Sequence, residues 1–102
     1  MSAITLNGTA YEADLTDLAV LRDLLGAYHA ANELNASTDD IARLEHAVAY
    51  AERAKSAIGR AIGADAVDAL WGDRLPLAEM MDALAQLAAL AGPTFDEHIR
   101  AL

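Results

Sequence analysis

The chain has no cysteine, which excludes a disulfide framework, cysteine-ligated zinc and thiol chemistry. Aromatic residues are scarce, with one Phe, one Trp and three Tyr. The usual bulky anchors of a core are therefore few. Basic residues are outnumbered, seven Lys and Arg against sixteen Asp and Glu, for a formal net charge of −9. This balance argues against nucleic acid as a main partner, because phosphate binding depends on Lys and Arg neutralising the backbone. It argues equally against an anionic membrane surface. No long apolar run is present: Leu84 to Ala91 is interrupted by Gln86, and a bilayer span needs about 20 residues. The opening Met1-Ser2-Ala3-Ile4-Thr5 has neither a basic n-region nor the apolar stretch of a signal peptide. The expected location is the cytoplasm.

What is present is alanine and leucine, 25 and 15 of the 102 residues. Both favour helix, and the length is that of one small domain. The expected architecture is mainly α in a single domain over 1–102, an N-terminal two-stranded β-hairpin followed by a bundle of about four helices.

The hairpin is placed at about 4–11. Ile4-Thr5-Leu6 alternates, Asn7-Gly8 suits a type I′ turn, and Thr9-Ala10-Tyr11 returns. A lone hairpin is marginal, so it must lie on the helices. A first helix is expected over 17–34 with Thr16 as its cap and Leu18, Leu21, Leu25 and Tyr28 as its apolar stripe, widened by Leu24. A second, over 38–62, is capped by Ser37 or Thr38. It carries an a/d seam: Ile41, Leu44, Val48, Ala51, Ile58 and Ile62, interrupted once by Lys55. Ala47, Ala54 and Ala61 form a small-residue stripe beside the seam. A third helix, over 65–71, is capped by Asp65 and presents Val67, Leu70 and Trp71. A fourth, over 76–91, begins with Pro76 at its first position and is terminated by Gly92-Pro93. Thr94-Phe95-Asp96-Glu97 is a capping-box pattern that permits a short last helix over 95–101. Residues 41–62 carry four bases and two acids, so the body of the second helix is the only net basic stretch in an acidic chain.

No catalytic set emerges, and no enzyme activity, cofactor or metal is expected. His29 and Glu33 are one helical turn apart without a third ligand indicated. Asp39-Asp40 suits the start of a helix, and no glycine-rich phosphate loop is present. The candidate partner-binding or self-association residues are Leu77, Met80, Met81, Leu84, Trp71 and Phe95, together with the second-helix seam. Met surfaces adapt to varied apolar partners, and a lone Trp can anchor an interface; the competing reading is that both methionines and Trp71 are core and that the seam is a contact within the chain's own bundle.

The opening Ile4-Thr5-Leu6-Asn7-Gly8-Thr9-Ala10-Tyr11-Glu12-Ala13-Asp14-Leu15-Thr16-Asp17 resembles the start of the small siphophage and prophage tail assembly chaperones, an "I-NG-x-Y-E-x-DLTD" hairpin leading into a helix. Ile62 to Gly72 is similar to the family's turn–helix–turn, with Trp71 where that pattern has Phe. The helix from Pro76 to Leu90 follows in the same order. The resemblance implies a non-enzymatic, oligomeric assembly factor acting in the cytoplasm of a bacterial host. It would bind the apolar helical surface of the tape measure protein and keep it soluble until the tail tube forms around it. The resemblance transfers no site residue. The competing reading is an acidic helical adaptor or antitoxin-like regulatory partner that grips one specific helix.

Overall fold

The computed structural model describes the backbone of residues 3–100 and the side chains of residues 3–92. Strand β1 (Ala3–Leu6) and strand β2 (Thr9–Glu12) form an antiparallel hairpin, followed by helices α1 (Leu18–Ala36), α2 (Asp40–Ile62), α3 (Ala64–Leu70) and α4 (Leu77–Arg100). The mainly helical architecture with an N-terminal hairpin is the one expected from the sequence.

The hairpin turns where anticipated. Asn7 and Gly8 both take positive φ, 53° and 80°, as a type I′ turn requires. The register pairs Leu6 with Thr9 and Ile4 with Tyr11. Ile4 and Leu6 share a face, and both are buried in the core. The outer edge of β1 is closed by a side chain. Gln86 of α4 accepts from the Thr5 N–H (2.8 Å) and donates to the Thr5 carbonyl (2.9 Å). Its amide thereby stands in for one residue of a neighbouring strand.

The helix caps fall one or two positions later than expected. Asp17, not Thr16, caps α1 by accepting from the Ala19 N–H, and Asp39, not Ser37 or Thr38, caps α2 by accepting from the Ala42 N–H. Thr16 is instead drawn into the preceding turn, where its N–H (3.0 Å) and hydroxyl (2.7 Å) both donate to Asp14. These bonds hold the Asp14 carboxyl below its ordinary pKa, the side-chain bond contributing most. The Asp14 N–H donates to the Ala61 carbonyl at 3.0 Å, which ties this turn to the last turn of α2. Gly63, at φ 106°, closes α2 and opens α3. Asp65 lies in the first turn of α3 rather than at its cap. Pro76 precedes α4, and its carbonyl accepts from the Met80 N–H.

The expected stop at Gly92-Pro93 is overturned, because α4 continues to Arg100 and a separate helix over 95–101 is not formed. A proline normally keeps its predecessor out of helical geometry, partly by a clash between the proline ring and that residue's Cβ. Gly92 has no Cβ, and open space surrounds it. The lost hydrogen bond and the crowding of the proline ring against the carbonyl four residues earlier remain as costs.

The core gathers Ile4 and Leu6 from β1, Leu15 from the linker, Val20 and Leu24 from α1, Ile58 from α2, Val67 from α3, and Met80, Leu84 and Leu87 from α4. Alanines fill the space between helices: Ala27 and Ala30 of α1 and Ala51, Ala54, Ala57 and Ala61 of α2 are all buried. The small-residue stripe thus lets α1 and α2 approach closely. Asp23 of α1 accepts from Arg60 of α2 at 2.5 Å along one edge of this pair.

Two apolar stripes are corrected. On α1 the buried line is Val20, Leu24, Ala27 and Ala30, while Leu18, Leu25 and Tyr28 are exposed. The helix turns its small residues toward α2, and its larger ones fall outside that contact. On α2 the seam is split. Ala51 and Ile58 are buried and Ile62 half-buried, but Ile41 is 70% exposed, Leu44 67% and Val48 43%. The cause lies in the neighbours. Lys55 donates to the Gly72 carbonyl, and Gly59 lies against Val67, so α3 and the turn after it cover the C-terminal half of the seam. The N-terminal half extends past them.

Candidate functional site

An apolar groove of about 740 Å³ lies between α1 and α4. One wall is a leucine ridge, Leu18, Leu21 and Leu25, continued by Tyr28. The other is low, made of Ala88, Ala91 and Gly92, and Leu24 lies at the buried base. The asymmetry follows from local sequence. Residues 20–25 read Val-Leu-Arg-Asp-Leu-Leu, so α1 carries two adjacent apolar lines. Val20 and Leu24 enter the core; Leu21 and Leu25 border the groove. On α4, Ala88 and Gly92 are one turn apart and hold the wall back from the ridge. Arg22 and His29, seven residues apart on α1, supply the polar rim.

Such a surface is suited to burying apolar material. Small residues on one wall allow a backbone to come close, and large residues on the other provide the contact area, the arrangement by which grooves receive amphipathic helices. Among the described residues no group of three or more His, Asp or Glu side chains is placed to hold a metal ion. Glu33, one turn from His29 on α1, lies 3.8 Å from His46 of α2. Tyr50 is buried beside Tyr28, and its hydroxyl pKa is raised by that burial first and by Tyr28 second.

The candidate residues read from the sequence are dispersed. Met80 is fully buried whereas Met81 is 52% exposed, so the pair divides between core and surface. Consecutive helical residues point about 100° apart. Met81 lies seven residues before Ala88 and so extends the α4 flank that borders the groove. Leu77 is half-buried, and Leu84 is core. Trp71 is also core, and its indole N–H donates to Glu79 at 2.8 Å, which satisfies its one polar atom. The side chain of Phe95 lies outside the described residues.

The apolar groove residues on α1, Leu18, Leu21, Leu24, Leu25 and Tyr28, are the stripe expected from the sequence. The available signal was width. A helix with one partner needs one stripe, and Val20-Leu21 with Leu24-Leu25 makes two.

No described helix is long and apolar enough to cross a membrane. A small second cleft of about 50 Å³, bordered by Leu6, Asn7, Trp71, Glu79 and Asp82, holds too little space for more than a water or two. No protein-family model matches this chain, nor does any curated protein or any solved structure.

Proposed function

We propose that this chain is a non-enzymatic assembly chaperone acting in a bacterial cytoplasm. It binds an apolar helical segment of a phage tape measure protein and keeps it soluble during tail assembly. One observation carries the reading, the 740 Å³ groove whose walls are leucine on α1 and alanine and glycine on α4. A client helix laid along it removes Leu18, Leu25 and Tyr28 from water together with its own apolar stripe. Each Å² of apolar surface buried contributes about 25 cal/mol. The net charge of −9 opposes association of loaded complexes with one another. The order of the hairpin and helices, with the opening motif, supports the family named by resemblance. Self-association into dimers or rings belongs to the same reading.

The deciding experiment is co-expression with a phage tape measure protein. The client is expected to become soluble with the wild type and to remain insoluble with Leu25→Glu, a groove variant at an exposed position. A client equally insoluble with and without the chain overturns the reading. Recovery instead of one small partner at fixed stoichiometry, by pull-down from the native host, favours the adaptor. Sedimentation at several concentrations tests self-association, and a strict monomer throughout contradicts it.

A further inference from the structure

We propose that the N-terminal half of α2 is a second docking face, separate from the groove, and that its partner is a basic amphipathic helix with Lys or Arg flanking an apolar stripe. Ile41, Leu44 and Val48 stand at i, i+3 and i+7, and so form one line about 10 Å long. All three are exposed, and none of them lines the groove. Large aliphatic side chains in a continuous exposed line mark an interaction surface more often than scattered ones do.

Charge selects the occupant. Helical spacing places Asp40 on one flank of the line and Glu45 and Glu52, seven residues apart, on the other. All three are exposed, and none forms an ion pair among the described residues. The bases of α2 do not offset them. Arg60 is engaged by Asp23, and Lys55 by the Gly72 carbonyl. Arg43 lies about 100° around the helix from Leu44, beyond Asp40; Arg53 lies about 180° around it, with its guanidinium beside Gly26 of α1, and His46 faces Glu33 away from the line. The helix that is basic overall therefore presents an acidic frame at its open end.

A second copy of α2 is a poor occupant. Antiparallel pairing sets the Glu45 and Glu52 flank against itself, and parallel pairing sets it against Asp40. Both arrangements place acid on acid. A helix flanked by Lys or Arg meets acid on both sides while its stripe covers Leu44. The apolar line supplies the affinity and the acids supply register and faster association.

The full-length chain is titrated with a synthetic helical peptide of roughly 20 residues made of Leu and Lys heptads, and with a matched peptide carrying Glu for Lys. Amide NMR shifts locate the contact, and fluorescence anisotropy gives the affinity. The Lys peptide is expected to bind with shifts over residues 40–52. Leu44→Lys, at an exposed site and with an unchanged melting curve, should weaken it by about tenfold or more. Glu45→Gln with Glu52→Gln should weaken it and flatten its salt dependence, whereas Asp68→Asn with Asp73→Asn, equally exposed acids elsewhere, should leave it unchanged. The proposal is overturned if the Glu peptide binds as well or if the shifts fall on Leu18 to His29. Equal weakening by both pairs of acid variants, or sedimentation showing a dimer that Leu44→Lys splits, also overturns it. Because the groove is not involved, failure here leaves the chaperone reading intact, and failure of client solubilisation leaves this one intact.

Discussion

The two halves of α2 differ in surroundings far more than in sequence. Ile41, Leu44 and Val48 in the first half and Ala51, Ile58 and Ile62 in the second continue one heptad pattern. Yet Ile58 is fully buried while Leu44 is two-thirds exposed. The second half has α3 and the turn at Gly72 laid against its seam; in the first half Ile41, Leu44 and Val48 are left exposed. A heptad pattern therefore specifies that a surface wants a partner. Whether that partner is within the chain depends on how far the neighbouring helices reach.

Substitutions along the helix sharpen this contrast, beginning with the largest effect. Ile58→Asp puts an unpaired charge where no water reaches. It is expected to cost at least about 4 kcal/mol or to prevent folding, as read from urea or thermal melts. A near-normal melt would mean that the second half is not core. The support of that covered half is tested next. Glu79→Ala leaves the buried Trp71 indole N–H without its acceptor, at an expected loss of about 1–3 kcal/mol, with a shift in tryptophan fluorescence as the readout. Gln86→Ala removes both bonds to the Thr5 backbone. A loss of about 1–2 kcal/mol is expected, together with faster hydrogen exchange at the Thr5 amide.

The boundary between the halves titrates. Tyr50 is buried next to Tyr28, and its folded pKa is raised above the ordinary 10.0. Its neutral form is therefore favoured by folding. That contribution is complete below pH 10 and is lost as pH rises through the folded value. Melts taken from pH 8 to 11 should show an alkaline loss that Tyr50→Phe reduces. An identical alkaline slope in the variant would place the loss elsewhere. The smallest effect belongs to the open half. Leu44→Asp, made in the same helix and of the same type as Ile58→Asp, should change stability by no more than about 0.5 kcal/mol. A large loss there would erase the distinction between the halves.

Much of the backbone was legible before any coordinates. Asn7-Gly8 can hardly be read other than as a tight turn, because both residues accept positive φ. Thr9 to Tyr11 and the periodic runs of α1 and α2 follow from spacing alone. Gly63 marks a helix end because few other residues tolerate a φ of 106°. The caps were misplaced because Thr16 and Asp17, like Thr38 and Asp39, are neighbours of similar capping ability, and only the course of the preceding turn selects between them. The continuation of α4 past Pro93 was illegible for a related reason. Gly92 reads as a stop in sequence, but it is also the residue that relieves the proline clash.

The sequence by itself determined that this is a helical, acidic chain with an N-terminal hairpin, since propensity, periodicity and charge are local or additive properties. Only the tertiary structure decided which greasy side chains are core and which remain open: Met80 against Met81, Leu24 against Leu25, Ile58 against Leu44. Side chains in each pair are chemically alike, and their fates differ because burial depends on where other elements lie, a quantity that no window of neighbouring residues contains.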